Sequence, residues 1–254
     1  MSFLEIKNLS IEFGGLKAVT DFNLTLHPNE LVAVIGPNGA GKTTIFNMLT
    51  GIYKPATGSI KTQDKELVGH RANIFTQNGI ARTFQNIRLF DSETVLQNVI
   101  IAMNLQVEYG LFDAVFRTKR FRQQEEEFKE RALRLLEIFH LAEKKDLTAK
   151  NLPYGEQRRL EIARALATSP RILLLDEPAA GMNPTEIEDI KDLITQIRKE
   201  NDISIILIEH HMSMVMGISD RIKVIDFGHT IAEGTPQEVR HNPKVIEAYL
   251  GKEA

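Results

Sequence analysis

Residues 31–43 read Leu31-Val-Ala-Val-Ile-Gly-Pro-Asn-Gly-Ala-Gly-Lys-Thr43, and this stretch decides the class of fold. Its first part, Leu31–Ile35, is continuously apolar, which is typical of a central strand covered on both faces. The next part, Gly36–Thr43, fits the phosphate-loop pattern G-x-x-x-x-G-K-[ST]. A helix is predicted from Lys42 to Thr50, and Gly51 ends it. A strand, a glycine-rich loop and a helix in this order predict an α/β core that binds phosphate.

The glycine-rich loop is predicted to bind a triphosphate. Glycines let backbone N–H groups turn inward around phosphate oxygens, and the N-terminus of the following helix adds partial positive charge. Lys42 would reach the β- and γ-phosphates, and the Thr43 hydroxyl would ligate Mg²⁺. An ordinary strand-to-helix turn is the alternative, but the bare pattern occurs in roughly one random chain of this length in a hundred. The residues expected to contact the nucleotide are Gly36, Pro37, Asn38, Gly39, Ala40, Gly41, Lys42, Thr43 and Thr44.

Three further predicted strands are each followed by polar side chains. Ile80–Phe84 is followed by Gln85, Ile172–Leu175 by Asp176 and Glu177, and Ile203–Ile208 by Glu209 and His210. Ligands of an open parallel sheet bind at the carboxyl ends of its strands. If these runs and Leu31–Ile35 are neighbouring parallel strands, their polar groups meet the glycine-rich loop at one edge of one sheet.

The carboxylates that follow Ile172–Leu175 have separate predicted roles. Asp176 would hold Mg²⁺, directly or through water, and a helix cap or a loop carboxylate is the alternative. Glu177 would position the water that attacks the γ-phosphate and accept its proton; a group that only supports the metal ligand is the alternative. Taken alone, Gln85 and His210 are more typical of structural polar residues, so their position at strand ends is the only sign of a role.

The middle of the chain changes to a helical pattern. Val95, Val99 and Met103 are spaced four residues apart; Phe121, Phe128, Ala132, Leu135 and Phe139 form a helical stripe; and a third helix is predicted from about Gly155 to Thr168. We therefore predict a helical subdomain at 86–168. It is inserted between the first part of a nucleotide-binding core, at 1–85, and its second part, at 169–254.

Both ends of the core carry further predictions. Leu4–Phe13 and Phe22–Leu26 nearly alternate between apolar and polar residues, which predicts an antiparallel β region before the mainly parallel sheet. Asn183-Pro-Thr-Glu186 is typical of a helix start, with Asn as the cap and Pro in the first position. Pro236–Gly251 is predicted to form a short helical tail.

The composition of this 254-residue chain excludes several classes of function. Lys and Arg number 31 against 34 for Asp and Glu, a balance that argues against electrostatic binding of nucleic acid. The absence of Cys excludes disulfides, zinc–thiolate sites and thiol nucleophiles. Apolar runs such as Leu31–Ile35 are far too short to span a membrane, and Met1–Phe13 has no signal-peptide core. We therefore expect a cytoplasmic protein, which would act at a membrane only by docking onto a spanning partner.

Several motifs in a fixed order give the chain a family resemblance. They are the phosphate loop, Ala81-Arg-Thr-Phe-Gln85, Leu152-Pro-Tyr-Gly-Glu-Gln157, Leu173-Leu-Leu-Asp-Glu-Pro178 and His210. With them, the chain resembles the nucleotide-binding subunits of ABC transporters over essentially its whole length. More narrowly, it is similar to the ATP-binding subunits of branched-chain amino acid importers in the stretches Leu160–Ala165, Ala179–Pro184, Val215–Arg221 and Ala248–Gly251.

The resemblance implies an ATPase that uses ATP and Mg²⁺ to power an importer of branched-chain or other hydrophobic amino acids. The candidate catalytic residues are Glu177, His210 and Gln85, and the candidate metal ligands are Thr43, Gln85 and Asp176. His210 would touch the γ-phosphate, and Gln85 would contact Mg²⁺ or the attacking water. Phe13 would stack on adenine, although a half-buried strand residue is a close alternative.

The resemblance also implies partners and a location. Transmembrane permease subunits would be moved by two ATP-binding subunits, identical or paralogous, that pack head to tail on the inner face of the cell membrane. The signature residues Leu152, Gly155, Glu156 and Gln157 would act on the ATP of the other subunit. Nucleic acid is not expected as a partner.

The chain departs from the family pattern at two places. Pro153 stands where the usual signature L-S-G-G-Q has serine, so a serine contact with the γ-phosphate cannot be carried over. Glu156 would repel phosphate if its side chain turned inward, whereas Gly155 and the backbone amides after it keep their role. Asn183 replaces an aspartate that contacts the partner subunit in many relatives.

Other functions stay open on the sequence alone. The ATPase of a lipopolysaccharide exporter, or of another exporter, is close in sequence, and a soluble non-transport ABC ATPase usually carries two such domains or a coiled-coil insert. A phosphate-loop kinase would need an acceptor site, and a GTPase needs an N-K-x-D motif, which this sequence lacks. Arg117, Lys119, Arg120 and Arg122 form a basic cluster, which is more typical of a solvated helix face than of contact with lipid headgroups or an acidic partner.

Overall fold

The computed structural model of the chain describes residues 3–63 and 65–250. The chain divides into two compact units, one from residues 1–85 and 171–254 and the other from residues 86–170. The strands are β1 (Leu4–Phe13), β2 (Leu16–Leu26), β3 (Leu31–Ile35), β4 (Thr57–Thr62), β5 (Lys65–Glu66), β6 (Ile80–Arg82), β7 (Ile172–Asp176), β8 (Ser204–Ile208), β9 (Arg221–Asp226) and β10 (His229–Gly234). The α-helices are α1 (Lys42–Met48), α2 (Ala72–Gln77), α3 (Val95–Ala102), α4 (Leu111–Phe116), α5 (Lys119–Ile138), α6 (Tyr154–Ala167), α7 (Pro184–Glu200), α8 (Met212–Ile218), α9 (Pro236–Arg240) and α10 (Pro243–Leu250).

The larger sheet of the first unit has the strand order β10-β9-β3-β8-β7-β6. The pairs from β9 to β6 are all parallel, and β10 runs antiparallel to β9. Every residue of β3, β7 and β8 is buried, as their continuous apolar sequences predict. The predicted α/β class with a mainly parallel sheet is confirmed. Since β3, β8, β7 and β6 are consecutive neighbours, their carboxyl ends lie at one edge of the sheet.

The smaller sheet has the order β2-β1-β4-β5 and is antiparallel throughout. Leu9 and Phe22 from this sheet share one buried core with Phe46 of α1 and with apolar residues of β3, β7 and β8. The predicted N-terminal antiparallel region is confirmed. The strands β4 and β5 were not predicted, because Ile60 is the only buried apolar residue in either of them.

The helix start predicted at Asn183 is confirmed in atomic detail. The Oδ1 atom of Asn183 accepts hydrogen bonds from the backbone N–H groups of Thr185, at 3.0 Å, and Glu186, at 3.1 Å. In return, Oε2 of Glu186 accepts one from the backbone N–H of Asn183 at 2.9 Å. This reciprocal capping satisfies N–H groups that a helix cannot pair internally.

The chain after β9 differs from the prediction. It forms the hairpin strand β10 and then two helices, α9 and α10, instead of one tail. The break lies at Asn242, whose Oδ1 accepts a hydrogen bond from the backbone N–H of Lys244 at 3.0 Å. A capping side chain followed by Pro243 starts a new helix and cannot continue the old one. Gly251, the predicted end of the tail, lies outside the described residues.

In the second unit, helices α3, α5 and α6 supply a shared apolar core. Its fully buried members include Val95, Val99, Met103, Phe128, Ala132, Leu136, Phe139, Leu160 and Ala163. After Phe128 and Ala132, the next buried residue of α5 is Leu136, whereas the predicted Leu135 is only partly buried. Helix α4 was not predicted, because it contributes no buried residue. Within residues 3–63 and 65–250, no helix has both the length and the apolar character needed to cross a membrane.

Candidate functional site

The predicted phosphate loop joins β3 to α1, and its path depends on glycine at both ends. Gly36 has φ +156°, and a Cβ there would lie 2.0 Å from the carbonyl oxygen of Ile225. Gly41, which begins α1, has φ +104°, and a Cβ there would lie 2.6 Å from the carbonyl oxygen of Ala18. Since such contacts are far inside van der Waals distance, any larger residue would force the loop to move.

Lys42 extends its side chain back along this loop. Its Nζ donates hydrogen bonds to the carbonyl oxygens of Gly36, at 2.7 Å, and Pro37, at 2.8 Å. Burial lowers the pKa of the Lys42 ammonium, and the carboxylates of Glu177 and Asp176 act in the opposite direction. The ammonium is therefore held inside the loop and within electrostatic reach of both predicted carboxylates.

A cavity of about 630 Å³ opens beside the phosphate loop. It is lined by the loop and the start of α1 from Asn38 to Thr44, and by side chains from the ends of the neighbouring strands. Those side chains include the predicted Gln85, Glu177 and His210. Three of the residues that the sequence placed at separate strand ends, Gln85, Glu177 and His210, thus line one cavity. Its volume lies in the usual range for small-molecule sites.

Glu177 is the meeting point of these strand ends. One carboxylate oxygen, Oε2, accepts a hydrogen bond from Nε2 of Gln85 at 2.9 Å. The other, Oε1, lies 2.7 Å from Nε2 of His210. The backbone of Glu177 has φ +49°, in the left-handed region, and its N–H donates to the carbonyl of Ile208 at 2.8 Å. The carboxylate is therefore fixed in position by an amide, an imidazole and a strained backbone, as a general base requires.

Asp176, one residue earlier, has a different environment. It is the last residue of β7 and is 2% exposed. Its Oδ2 forms an ion pair with Nη2 of Arg82 at 2.8 Å, and that guanidinium is also almost fully buried. In addition, Nη1 of Arg82 donates to Oδ1 of Asn47 at 2.8 Å and to Oγ1 of Thr50 at 3.2 Å. Arg82 thus joins Asp176 to the helix that follows the phosphate loop.

Glu209 fixes the segment that carries His210. Glu209 is 1% exposed, and its Oε2 accepts hydrogen bonds from the backbone N–H groups of His210, at 2.6 Å, and His211, at 3.0 Å. Its Oε1 accepts one from the backbone N–H of Ala179 at 2.9 Å. His211, to which the sequence assigned no role, lies with Nδ1 3.0 Å from Glu209 Oε2.

Phe13 lies at the end of β1 and is 45% exposed. Its ring packs edge-on against Tyr53, with 5.3 Å between the ring centroids. Among the described residues, those that line the cavity include neither Phe13 nor Asp176. Adenine stacking by Phe13 stays a prediction.

Comparisons with known proteins match the chain at two levels. A family model described as "ABC transporter" matches residues 19–180, which is more than half of the chain. The chain belongs to the ABC transporter family. A second model, of branched-chain amino acid ATP-binding cassette transporters, matches residues 229–254 of this ABC protein. The family predicted from the sequence motifs is confirmed.

Individual relatives of this ABC protein agree with that result. It is 49% identical over 249 residues to the high-affinity branched-chain amino acid transport ATP-binding protein LivG of Escherichia coli K12, covering 98% of both chains. It is 47% identical to BraF of Pseudomonas aeruginosa over the same length, and 32% identical over 253 residues to the lipopolysaccharide export ATP-binding protein LptB of E. coli. A crystal structure of a nucleotide-free ATP-binding cassette from an ABC transporter superposes with a TM-score of 0.85 at 30% identity, covering 99% of this chain and 100% of that one.

The signature segment of this ABC protein lies in the second unit, at the start of α6. Pro153 begins the helix, and its carbonyl accepts hydrogen bonds from the N–H groups of Glu156, at 3.0 Å, and Gln157, at 2.9 Å. Nε2 of Gln157 donates to the carbonyl of Leu152 at 2.8 Å. Oε1 of Glu156 lies 2.5 Å from Nζ of Lys144. The charge that would repel phosphate is therefore paired with a cation.

Sequence reasoning missed Arg82 and part of the cavity wall. Arg82 stands inside the quoted stretch Ala81-Arg-Thr-Phe-Gln85, and a charged residue within an otherwise apolar predicted strand is the signal that could have found it. Leu16 and Ala18 of β2 and the exposed Phe227 after β9 also line the cavity. No local pattern singles them out, because they come from an antiparallel hairpin and a turn that only the tertiary fold brings to the loop.

Proposed function

We propose that this chain is the ATP-hydrolysing subunit of an importer for branched-chain or other hydrophobic amino acids. The observation that carries the proposal is the convergence of Lys42, Gln85, Glu177 and His210 on the cavity beside the phosphate loop. Membership of the ABC family and the 49% identity to LivG support the importer branch, compared with 32% identity to LptB of the lipopolysaccharide export system. The match of residues 229–254 to the branched-chain amino acid cassette model favours the same choice.

The phosphate loop binds the triphosphate of ATP in this proposal. Loop N–H groups and the start of α1 surround the phosphate oxygens. The Lys42 ammonium, which donates to the Gly36 and Pro37 carbonyls, turns toward the β- and γ-phosphates when they occupy the loop. The lowered pKa of Lys42 rises again beside the phosphate charge, so the bound state keeps its positive charge.

Hydrolysis depends on Glu177. A water beside the γ-phosphate donates a hydrogen bond to the Glu177 carboxylate, which orients it for in-line attack and accepts its proton. Gln85 and His210 hold the two oxygens of Glu177 at 2.9 and 2.7 Å, so the base does not have to be ordered during the reaction. His210, which also lines the cavity, would contact the γ-phosphate.

The residues present fit a magnesium ion held mainly by ATP. Mg²⁺ in nucleotide sites keeps several waters and uses one or two carboxylates with the substrate phosphates. Within the described residues, no group of three or more His, Cys, Asp or Glu could hold a metal ion without such phosphates. Thr43 and Gln85 line the cavity, and Asp176 would act as the carboxylate beside them, with Arg82 fixing its orientation. Bound there, Mg²⁺ would neutralise charge on the phosphates.

The partners complete the proposal. Transmembrane permease subunits would use the ATPase cycle, and a second ATP-binding subunit, identical or paralogous, would pack head to tail with this one at the inner face of the membrane. In that pair Leu152, Gly155, Glu156 and Gln157 of one subunit would face the ATP of the other. The helix start at Pro153 supports this, because the N-terminus of a helix favours phosphate.

The test is Glu177→Gln in the purified chain. We expect it to bind ATP normally and to hydrolyse it about 10²- to 10⁴-fold more slowly, since only the base is lost. Glu188→Gln, the same substitution at an exposed position of α7, is the matched control and should hydrolyse ATP at the wild-type rate. Full ATPase activity in the Glu177→Gln protein would remove Glu177 from the reaction.

The importer assignment has a test of its own. The chain should co-purify from membranes with permease subunits whose loss abolishes ATP-dependent uptake of labelled leucine. Co-purification with lipopolysaccharide export subunits, without an effect on leucine uptake, would favour the exporter.

A further inference from the structure

The second unit carries an apolar ridge that the proposed function does not use. It consists of the α4 side chains of Leu111, Phe112, Val115 and Phe116, which are between 66 and 83% exposed. Their spacing places all of them on one side of a helix. Helix α4 has no buried residue, and the rings of Phe112 and Phe116 contact each other, with 4.5 Å between centroids. The core of the unit therefore gains nothing from these side chains, and their exposure to water is unfavourable.

A basic cluster adjoins the ridge. It consists of Arg117, Lys119, Arg120 and Arg122, all of them exposed, at the end of α4 and the start of α5. The stretch from 107 to 122 contains these four basic residues and two acidic ones, so its formal charge is +2 in a chain with a net charge of −3, and the acidic run Glu125–Glu127 follows farther along α5. The cluster thus makes this stretch positive within an acidic chain.

The two acidic side chains of this stretch offset only part of the charge of the cluster, and both act on Arg120. Asp113 is turned toward the backbone: its Oδ1 accepts a hydrogen bond from the Thr118 hydroxyl at 2.7 Å and its Oδ2 accepts one from the Gly110 N–H at 3.2 Å. These bonds lower the pKa of the Asp113 carboxyl. Glu108 is highly exposed and only approaches Arg120, at 3.9 Å. The same contacts anchor α4 to the first turn of α5 and so fix the ridge beside the cluster.

We propose that the apolar ridge and the basic cluster form a contact with an anionic lipid surface. Leucine and phenylalanine side chains enter the boundary between headgroups and acyl chains, while Lys and Arg keep their charges at the phosphate level. Basic residues beside a membrane are attracted to anionic lipids but not to neutral ones. This contact goes beyond the proposed function, because a subunit held only through its permease needs no lipid contact of its own.

The charge beside the ridge favours an anionic lipid surface as its partner. The four apolar side chains expose on the order of 500 Å², and the adjoining basic cluster supplies positive charge at their border. On a lipid surface each inserted side chain and each basic residue adds to binding. Aromatic and aliphatic side chains on the unburied helix α4, next to basic side chains at the start of α5, have the composition of an interfacial anchor.

The first experiment uses the absence of Trp from the chain. Phe112→Trp in the full chain introduces one indole on the ridge. With vesicles of phosphatidylcholine and phosphatidylglycerol, its emission should shift to shorter wavelength. The matched control is Leu147→Trp, at a position of the same unit that is 47% exposed and outside the ridge; its emission should not shift. No shift in the Phe112→Trp protein, or equal shifts in both, would overturn the proposal.

Sedimentation with the same vesicles tests the basic cluster. Lys119→Gln with Arg120→Gln should weaken binding about 25-fold, at about fivefold for each basic side chain. The matched pair Lys129→Gln with Arg134→Gln, exposed farther along α5 beside Glu126 and Glu130, should bind within about twofold of wild type. An equal loss of vesicle binding in both pairs would mean that binding depends on the net charge of the chain and not on the basic cluster, and would overturn the proposal.

The ridge and the source of binding are tested in the same assay. Phe112→Ser with Phe116→Ser should abolish sedimentation while leaving thermal unfolding unchanged, because neither side chain is buried. ATP hydrolysis without vesicles should stay at the wild-type level in every variant, which separates this proposal from the proposed function. Equal binding to pure phosphatidylcholine, or binding only to vesicles that contain permease subunits, would contradict a contact with anionic lipid.

Discussion

The cavity edge of the first unit and the signature segment of the second are both predicted to contact ATP, but they are built differently. At the cavity edge, side chains from different strands bond to one another: Gln85 and His210 hold Glu177, and Arg82 holds Asp176. The signature segment bonds within its own unit, for example through Gln157 to the Leu152 carbonyl. The side chains at the cavity edge are therefore held in place by one another before ATP binds. The signature segment is held only by bonds near the start of α6, so its N–H groups would act on ATP from another subunit.

This comparison predicts large effects at the edge and small ones at the segment. The largest loss of stability is expected for Arg82→Met, because it removes the guanidinium that forms an ion pair with the buried Asp176 carboxylate. Breaking such a pair costs about 3–5 kcal/mol of unfolding free energy, measurable by urea denaturation. Arg82→Met combined with Asp176→Asn should recover part of that loss. Wild-type stability of the Arg82→Met protein would show that the ion pair with Asp176 does not stabilise the cavity edge.

His210→Ala tests whether the imidazole positions Glu177. Loss of one preorganised partner should lower the rate of ATP hydrolysis about 10²-fold. Nucleotide affinity should fall much less, because the phosphate loop is untouched. His241→Ala, in which the lost imidazole lay beside the carbonyl of Gln237 on α9, is the control and should keep the wild-type rate. A rate within twofold of wild type for His210→Ala would assign that residue a structural role only.

Lys144→Ala tests the signature segment. It leaves the Glu156 charge unpaired, so the ATPase rate of the assembled pair should fall about tenfold, the effect of one charge about 12 Å from phosphate near a protein surface. ATP binding to the isolated subunit should not change. The unfolding free energy should fall by about 1 kcal/mol or less, because Lys144 and Glu156 are both partly exposed. Adding Glu156→Gln should restore the rate; failure to do so would place the signature segment away from phosphate.

Asn183→Ala has the smallest expected effect, a loss of unfolding free energy without a direct effect on ATP hydrolysis. It removes the cap of α7, which should cost about 1 kcal/mol in urea unfolding. Asn183→Ser should recover most of it, because a serine hydroxyl also caps. A loss of ATPase activity in Asn183→Ala that exceeds its loss of stability would show that Asn183 does more than cap its helix.

Sequence alone predicted the parts of the first unit whose signal is local. Continuous apolar runs identify β3 and β7, since these strands are covered on both faces. Asn183 and its neighbours specify their own capping bonds. The gathering of Gln85, Glu177 and His210 also followed, because parallel strands that are neighbours must end at the same edge.

The features that the sequence did not predict depend on contacts between segments that are distant along the chain. The pairing of Arg82 with Asp176 requires knowing that β6 and β7 are adjacent and in which register. The strands β4 and β5 carry almost no apolar alternation, and they form because β4 pairs with β1 and β5 pairs with β4. Helix α4 has no buried face at all, so a method that searches for buried stripes cannot find it.

The buried carboxylate of Glu209 joins two loops at the cavity edge. One of its oxygens holds the backbone that follows β7, at Ala179, and the other holds the backbone that follows β8, at His210. The two loops are therefore both hydrogen-bonded to the single buried carboxylate of Glu209. Displacing either loop therefore requires the Glu209 carboxylate to move with it or a hydrogen bond to the other loop to break.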